Sequence, residues 1–97
     1  MLVATDETGQ ICGGALTSMR PELLTHAPSA HLQALVVAES AEGYGVGRSL
    51  IDHTEQMVLA RGAQSITLHV FGNNTRARSL YQRAGYNEEL IRAIKHF

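Results

Sequence analysis

Three glycines at alternate positions, Gly43, Gly45 and Gly47 in "AEGYGVGRSL", are the residues whose type and spacing most directly imply chemistry. Lacking Cβ atoms, they let an anion approach the backbone closely. If a helix starts here, its unpaired N–H groups and positive dipole end point at that anion. The chemistry is that of holding a phosphate, and Arg48 in the first helical turn can add a charge-assisted contact. Two other phosphate patterns do not fit. A dinucleotide fingerprint, G-x-G-x-x-G, would need glycine where Arg48 stands, and a P-loop needs a lysine, yet the only one is Lys95. A flexible strand-to-helix turn is the plain alternative.

Other reactive side chains are sparse. Tyr81 offers a phenol that stays protonated at neutral pH, on a helical face where it could equally be core. His31 opens an apolar run, His53 and His69 sit at polar positions and read as solvated, His26 lies in a loop and His96 near the end. No pair of histidines has metal-ligand spacing with a carboxylate or cysteine, so no metal is expected. Cys12, beside Gly13-Gly14, reads as a small buried hydrophobe.

The elements that must position these residues follow from the patterning. "LVAT" (2–5) and "QICGGALTS" (10–18) read as a hairpin around the "DETG" turn, with Gly13-Gly14 marking a bulge or a close backbone approach. Residues 19–30 hold Pro21 and Pro28 and read as a loop. "HLQALVVA" (31–38) is nearly continuous in apolar residues, the pattern of a strand buried on both faces. From Val46 to Arg61, Val46, Leu50, Ile51, Thr54, Met57 and Val58 keep a helical period, closed by Gly62. "SITLHVF" (65–71) alternates as a strand; Asn73 or Asn74 can cap a helix carrying Ala77, Leu80, Tyr81 and Ala84, which Gly85 ends. The tail 86–97 fits a helix or a strand. The order β-β-β-α-β-α-(β) implies an α/β (α+β) fold, a mixed sheet with one layer of helices, as one domain over 1–97.

Composition agrees. The chain has 97 residues, 44% hydrophobic and 18% charged, with a net charge of −1, so nothing asks for nucleic acid or a membrane surface. Cys12 is the only cysteine, which excludes an internal disulfide and suits a reducing cytoplasm. No leader or spanning segment is expected.

"LVVAESAEGYGVGRSLI" resembles the acyl-coenzyme A loop of the GNAT N-acetyltransferases, and "NNTRARSLYQRAGY" (73–86) is similar to their second conserved segment. The resemblance covers residues 31 to about 90, with the coenzyme-binding core at 31–86. It implies a GNAT-like acyl-CoA N-acyltransferase fold, with a mixed, mostly antiparallel sheet flanked by helices. It also implies acetyl-coenzyme A as cosubstrate and direct transfer of the acetyl group to an amine. By that resemblance Val36, Val37 and Ala38 line the pantetheine arm, and backbone N–H groups of Gly43, Tyr44, Gly45, Val46, Gly47 and Arg48 hold the pyrophosphate. Asn74 reaches the coenzyme, Val37 N–H faces the oxyanion, Tyr81 protonates the leaving thiolate, and His31 stands at the first histidine of "H-x-H-x-L-x-V", with Gln33 replacing the second. Arg76, Arg78 and Arg83 read as a solvated face, though Arg76 and Arg78 could meet coenzyme phosphates.

Two departures matter. Glu42 stands where the family has Arg or Gln, which sets a carboxylate beside the pyrophosphate. The family's first strand and two helices are absent from the pattern, so N-terminal truncation and homodimerisation through exposed apolar surface are expected. Two other readings stay open, a non-catalytic acyl-coenzyme A binding module and an unrelated nucleotide-binding α/β domain.

Overall fold

A four-stranded sheet in the order β1-β2-β3-β4 carries the chain in the computed structural model, which describes residues 1–97. The elements are β1 (Leu2–Thr5), β2 (Ile11–Pro21), β3 (Pro28–Val37), α1 (Val46–Ala60), β4 (Ser65–Leu68) and α2 (Thr75–Arg83), with one 3₁₀ turn at Glu39–Ala41. The β1–β2 and β2–β3 pairs are antiparallel, whereas β3 and β4 run parallel, as a strand–helix–strand crossover requires. The mixed, mostly antiparallel α+β architecture expected from the sequence is the one present.

Local chemistry explains the first turns. The Asp6 carboxylate accepts from Thr8 N at 2.9 Å and Gln10 N at 3.0 Å, and Gly9 takes φ 86°, which closes the β1–β2 hairpin. Residues 19–30, read as a loop, are mostly strand: β2 runs on to Pro21 and β3 begins at Pro28. Pro21 and Pro28 face each other at the last paired position, so they end the ladder without interrupting it. The remaining loop is tied by the Glu22 carboxylate, which accepts from Leu24 N at 2.8 Å and Thr25 N at 2.7 Å.

The core lies between one face of the sheet and α1. Ala15 and Leu32 pack on Leu50, and Ala30 packs on Val58 and Ala63. Gly13 is the close approach: a Cβ there would stand 2.9 Å from the Val36 carbonyl and 3.1 Å from Leu50 Cδ1. The bulges fall elsewhere, between Ala4 and Thr5 and between Leu16 and Thr17.

Three expectations are corrected. β3 is buried on one face only, because no element covers Ala34 and Val36 on the side away from α1. β4 stops at Leu68, short of Phe71. The tail after Tyr86 forms neither helix nor strand, and Leu90, Ile91 and Phe97 lie exposed, with no sheet edge or helix face taken up by their apolar spacing.

Candidate active site

The glycine loop is built by the end of β3 and the start of α1. Gly43 and Gly45 take φ 84° and 77°, the left-handed region that side chains rarely enter, and Gly45 is the N-cap of α1. The first helical bond of α1 runs from Ser49 N to Gly45 O at 3.0 Å. The N–H groups of Gly43, Gly45, Val46, Gly47 and Arg48 therefore have no partner within the chain, while Tyr44 N makes a long bond of 3.4 Å to Ala41 O. Gly47 serves packing instead, since a Cβ there would meet Leu80 Cδ2 at 3.4 Å and Val37 Cγ2 at 3.6 Å. The row of donors at a dipole end is what an anionic diphosphate needs.

Arg48 offers its N–H rather than its side chain. Its guanidinium is engaged with Asp52 at 3.2 Å and the Arg83 carbonyl at 3.3 Å. Glu42, at the rim, is not left unbalanced, because Arg76 from α2 lies 3.1 Å away. The arginines read as a solvated face are each tied: Arg78 forks onto Glu88 with two 2.8 Å bonds, and Arg83 donates to Ser79.

Beyond Leu32 and Leu68, β3 and β4 part company, and residues 33–37 of β3 have no partner on that side. Ala38 N–H donates to Cys12 O at 2.7 Å, so by the alternation of an antiparallel ladder Val36 also bonds toward β2, and Val37 and Leu35 turn N–H and C=O into the gap. An extended ligand with amide groups could pair there with Leu35 and Val37. Val36 presents its side chain, 63% exposed, on the other face. Leu35 was missed in the sequence because the parity of a strand shows only once one ladder bond is known.

Tyr81 and His31 lie on opposite faces of the sheet, His31 one residue before the last β3–β4 pair. Tyr81 is half-buried on the α1 side against Ala15, Leu32 and Leu50, its hydroxyl bonds to nothing in the chain, and burial pushes its pKa up, so it is protonated at neutral pH. Tyr86 holds it: Tyr86 N donates to Tyr81 O at 3.0 Å, the rings meet edge-on at 5.8 Å, and Tyr86 Oη donates to Glu55 at 3.0 Å. His31 alternates with Ala30 and Leu32 and so points away from α1, and its Nδ1 lies 2.8 Å from Thr67 Oγ1. His69, read as solvated, meets His31 edge-on with centroids 5.0 Å apart. Parallel register brings the two together, and no local spacing could have revealed it. Asn74 caps α2, its side-chain oxygen accepting from Ala77 N at 3.2 Å, which leaves its amide N–H₂ for other partners.

Two shallow depressions of about 230 and 340 Å³ lie elsewhere, one between β1 and α1 and one over Gly13-Gly14 beside Val3 and Val36. No group of three or more His, Cys, Asp or Glu side chains is arranged to hold a metal ion. No helix is long and apolar enough to cross a membrane.

Comparison with known proteins fits this geometry. The acetyltransferase (GNAT) family matches residues 1–86. A mycothiol acetyltransferase from Beutenbergia cavernae is 34% identical over 80 residues, which cover 82% of this chain and 27% of that protein. N-alpha-acetyltransferase 40 from Saccharomyces cerevisiae is 34% identical over 89 residues, covering 84% of this chain and 29% of its own length. The solved structure of a putative acetyl transferase from Pyrococcus furiosus superposes with a TM-score of 0.91 at 24% identity, over 98% of this chain and 63% of that one.

Proposed function

Because the chain belongs to the acetyltransferase (GNAT) family, we propose that it transfers the acetyl group of acetyl-coenzyme A to an amine by direct attack. The observation that carries this reading is the row of N–H groups at Gly43 to Arg48, unpartnered except at Tyr44. It follows directly on the unpaired edge of β3, with Tyr81 on one face of the sheet and His31 on the other. Bound along that row and edge, the coenzyme supplies an activated acyl group as a thioester. The chain's own residues then divide the work. The N–H row holds the pyrophosphate, with Asn74 beside it, and Leu35 and Val37 pair with the pantetheine amides while Val36 and Ala38 border them. Val37 N–H stabilises the charge that develops on the acyl oxygen. His31 takes the proton the amine must lose before its lone pair attacks the carbonyl carbon. As the new C–N bond forms and the C–S bond breaks, Tyr81 gives its phenolic proton to the sulfur.

The acceptor class is a primary amine, small or peptide, and the relatives named for mycothiol and protein α-amino acetylation guide the choice of probes. A reducing cytoplasm suits the one buried thiol, Cys12, and nothing in the charge adds nucleic acid or membrane to the partners. Self-association would cover the sheet face that carries Val3, Leu16 and Val36.

The test is thiol release from acetyl-coenzyme A against primary alkylamines and α-amino peptides, wild type beside Tyr81→Phe. The variant should lose about a hundredfold in kcat and keep its coenzyme affinity by calorimetry. Tight coenzyme A binding with no turnover of any amine would sink the transferase reading in favour of a binding module.

A further inference from the structure

We propose that Thr67 and His69 are positioning residues that clamp the His31 ring, so that its Nε2 faces the incoming amine as proton acceptor. The proposal rests on the transferase reading above and adds to it two residues from β4 and its end. Three features of the fold converge on it. Parallel register sets Thr67 directly opposite His31, and their side chains meet at 2.8 Å. The chain leaves the sheet straight after Leu68, which brings the His69 ring edge-on to His31 at an interplanar angle of 63°. The clamp sits one residue before the last β3–β4 pair, beyond which the edge of β3 is unpaired.

The direction of this hydrogen bond decides which nitrogen can act, and the proposal assigns Nδ1–H as the donor and the Thr67 hydroxyl as the acceptor. When Nδ1–H donates to Thr67 Oγ1, Nε2 keeps its lone pair and can accept a proton. The opposite tautomer would present an N–H to the amine and do nothing for it. In the proposed step the ammonium's N–H bond breaks and its proton moves to Nε2, making the imidazolium. Its electron pair stays on nitrogen and forms the bond to the acyl carbon. After attack the nitrogen loses a second proton to water, and Tyr81 supplies one to the sulfur and is reprotonated from water. His31 returns its proton to water, so that one proton is released per turnover. The edge-on His69 ring blocks rotation of the imidazole away from Thr67.

The charged neighbours favour the neutral ring. Burial, then Arg20 from β2, then His69 all push the His31 pKa below its ordinary value, and no carboxylate opposes them. His31 is therefore an unprotonated acceptor at pH 7, and its acid limb should lie below the ordinary histidine range. Ionisation of Tyr81, whose pKa burial pushes up, sets a separate alkaline limb.

The test combines ¹⁵N NMR of the histidine rings with pH profiles of kcat/KM for a turned-over amine. In the wild type His31 should show the Nδ1–H tautomer. Thr67→Val, nearly isosteric, should release that tautomer and lower kcat/KM about tenfold at pH 7, and His69→Ala should lower it similarly. His69→Phe, which keeps a ring edge without a charge, should restore the rate while the acid limb moves toward higher pH. An Nε2–H tautomer in the wild type overturns the clamp whatever the kinetics. Wild-type turnover with unchanged rates and profiles in Thr67→Val and His69→Ala overturns it as well. No turnover by the wild type overturns the transferase reading instead, a failure the ring spectra keep separate.

Discussion

Under α1 the sheet presents Ala15, Ala30 and Leu32 to Leu50 and Val58, while on its other face Val3, Leu16 and Val36 stand 49%, 42% and 63% exposed beside His31. The same three strands supply both faces, and only one has a helix on it. On the covered face each side chain is fixed by volume, down to a glycine where a methyl would strike a carbonyl. On the open face nothing within the chain fixes the apolar side chains, and the polar ones are held by cross-strand contacts. Substitutions under α1 should therefore report on stability, whereas those on the open face should report on function or association.

The largest test of that contrast is Ile51→Ala against Leu16→Ser. Ile51 is 1% exposed, and truncating it should cost about 2–5 kcal/mol in urea unfolding. Leu16→Ser, on the open face, should stay within about 0.5 kcal/mol. Equal losses at the two positions would mean that the open face is covered in solution, and sedimentation of the wild type would then reveal the assembly that covers it.

A sharper version uses adjacent residues. A Cβ on Gly13 meets the Val36 carbonyl at 2.9 Å and two side chains of α1, so Gly13→Ala should destabilise by about 1–3 kcal/mol. On Gly14 the nearest atoms are Leu2 O at 3.3 Å and Val3 Cγ1 at 4.0 Å, so Gly14→Ala should change stability by less than about 1 kcal/mol. Thermal melts of the two variants decide it, and a reversed order would break the two-face account at its tightest point.

This asymmetry also explains which parts of the molecule were legible from residues alone. The period of Leu50, Ile51, Thr54 and Val58 named the buried face of α1, because a helix carries its own geometry. The glycine loop was legible for the same reason: its donors and positive φ values are local. The apolar run of β3 misled, since a strand's sequence does not say which neighbour is present to cover each face. Pro21 and Pro28 suggested a loop because proline usually interrupts a strand, and here Pro21 ends β2 and Pro28 opens β3 at the last rung of the ladder. His69 needed the register of His31 on Thr67, 36 positions apart, and Leu35 needed the ladder bond between Ala38 and Cys12, 26 positions apart (38 − 12). The tail's spacing allowed two structures, and the chain adopts neither.

The smallest expected effect lies at the junction of loop and helix. Glu42 places a carboxylate at the rim of the N–H row, and alone it would repel a diphosphate. Its partner Arg76 reduces that field, but both side chains are substantially exposed, at 41% and 73%, so water screens the pair. Glu42→Gln removes the negative charge, keeps the shape, and frees Arg76 to turn toward the bound anion. Coenzyme A should then bind about two- to threefold more tightly at low ionic strength, with the gain fading as salt is raised. Arg76→Gln should move affinity the other way, because it leaves Glu42 unbalanced beside the phosphates. Calorimetry on the two variants and the double variant reads the sign directly. Weaker binding by Glu42→Gln would mean that the ion pair's ordering of the loop against α2 outweighs the repulsion. The loop would then depend on α2 for its shape as well as on its own glycines.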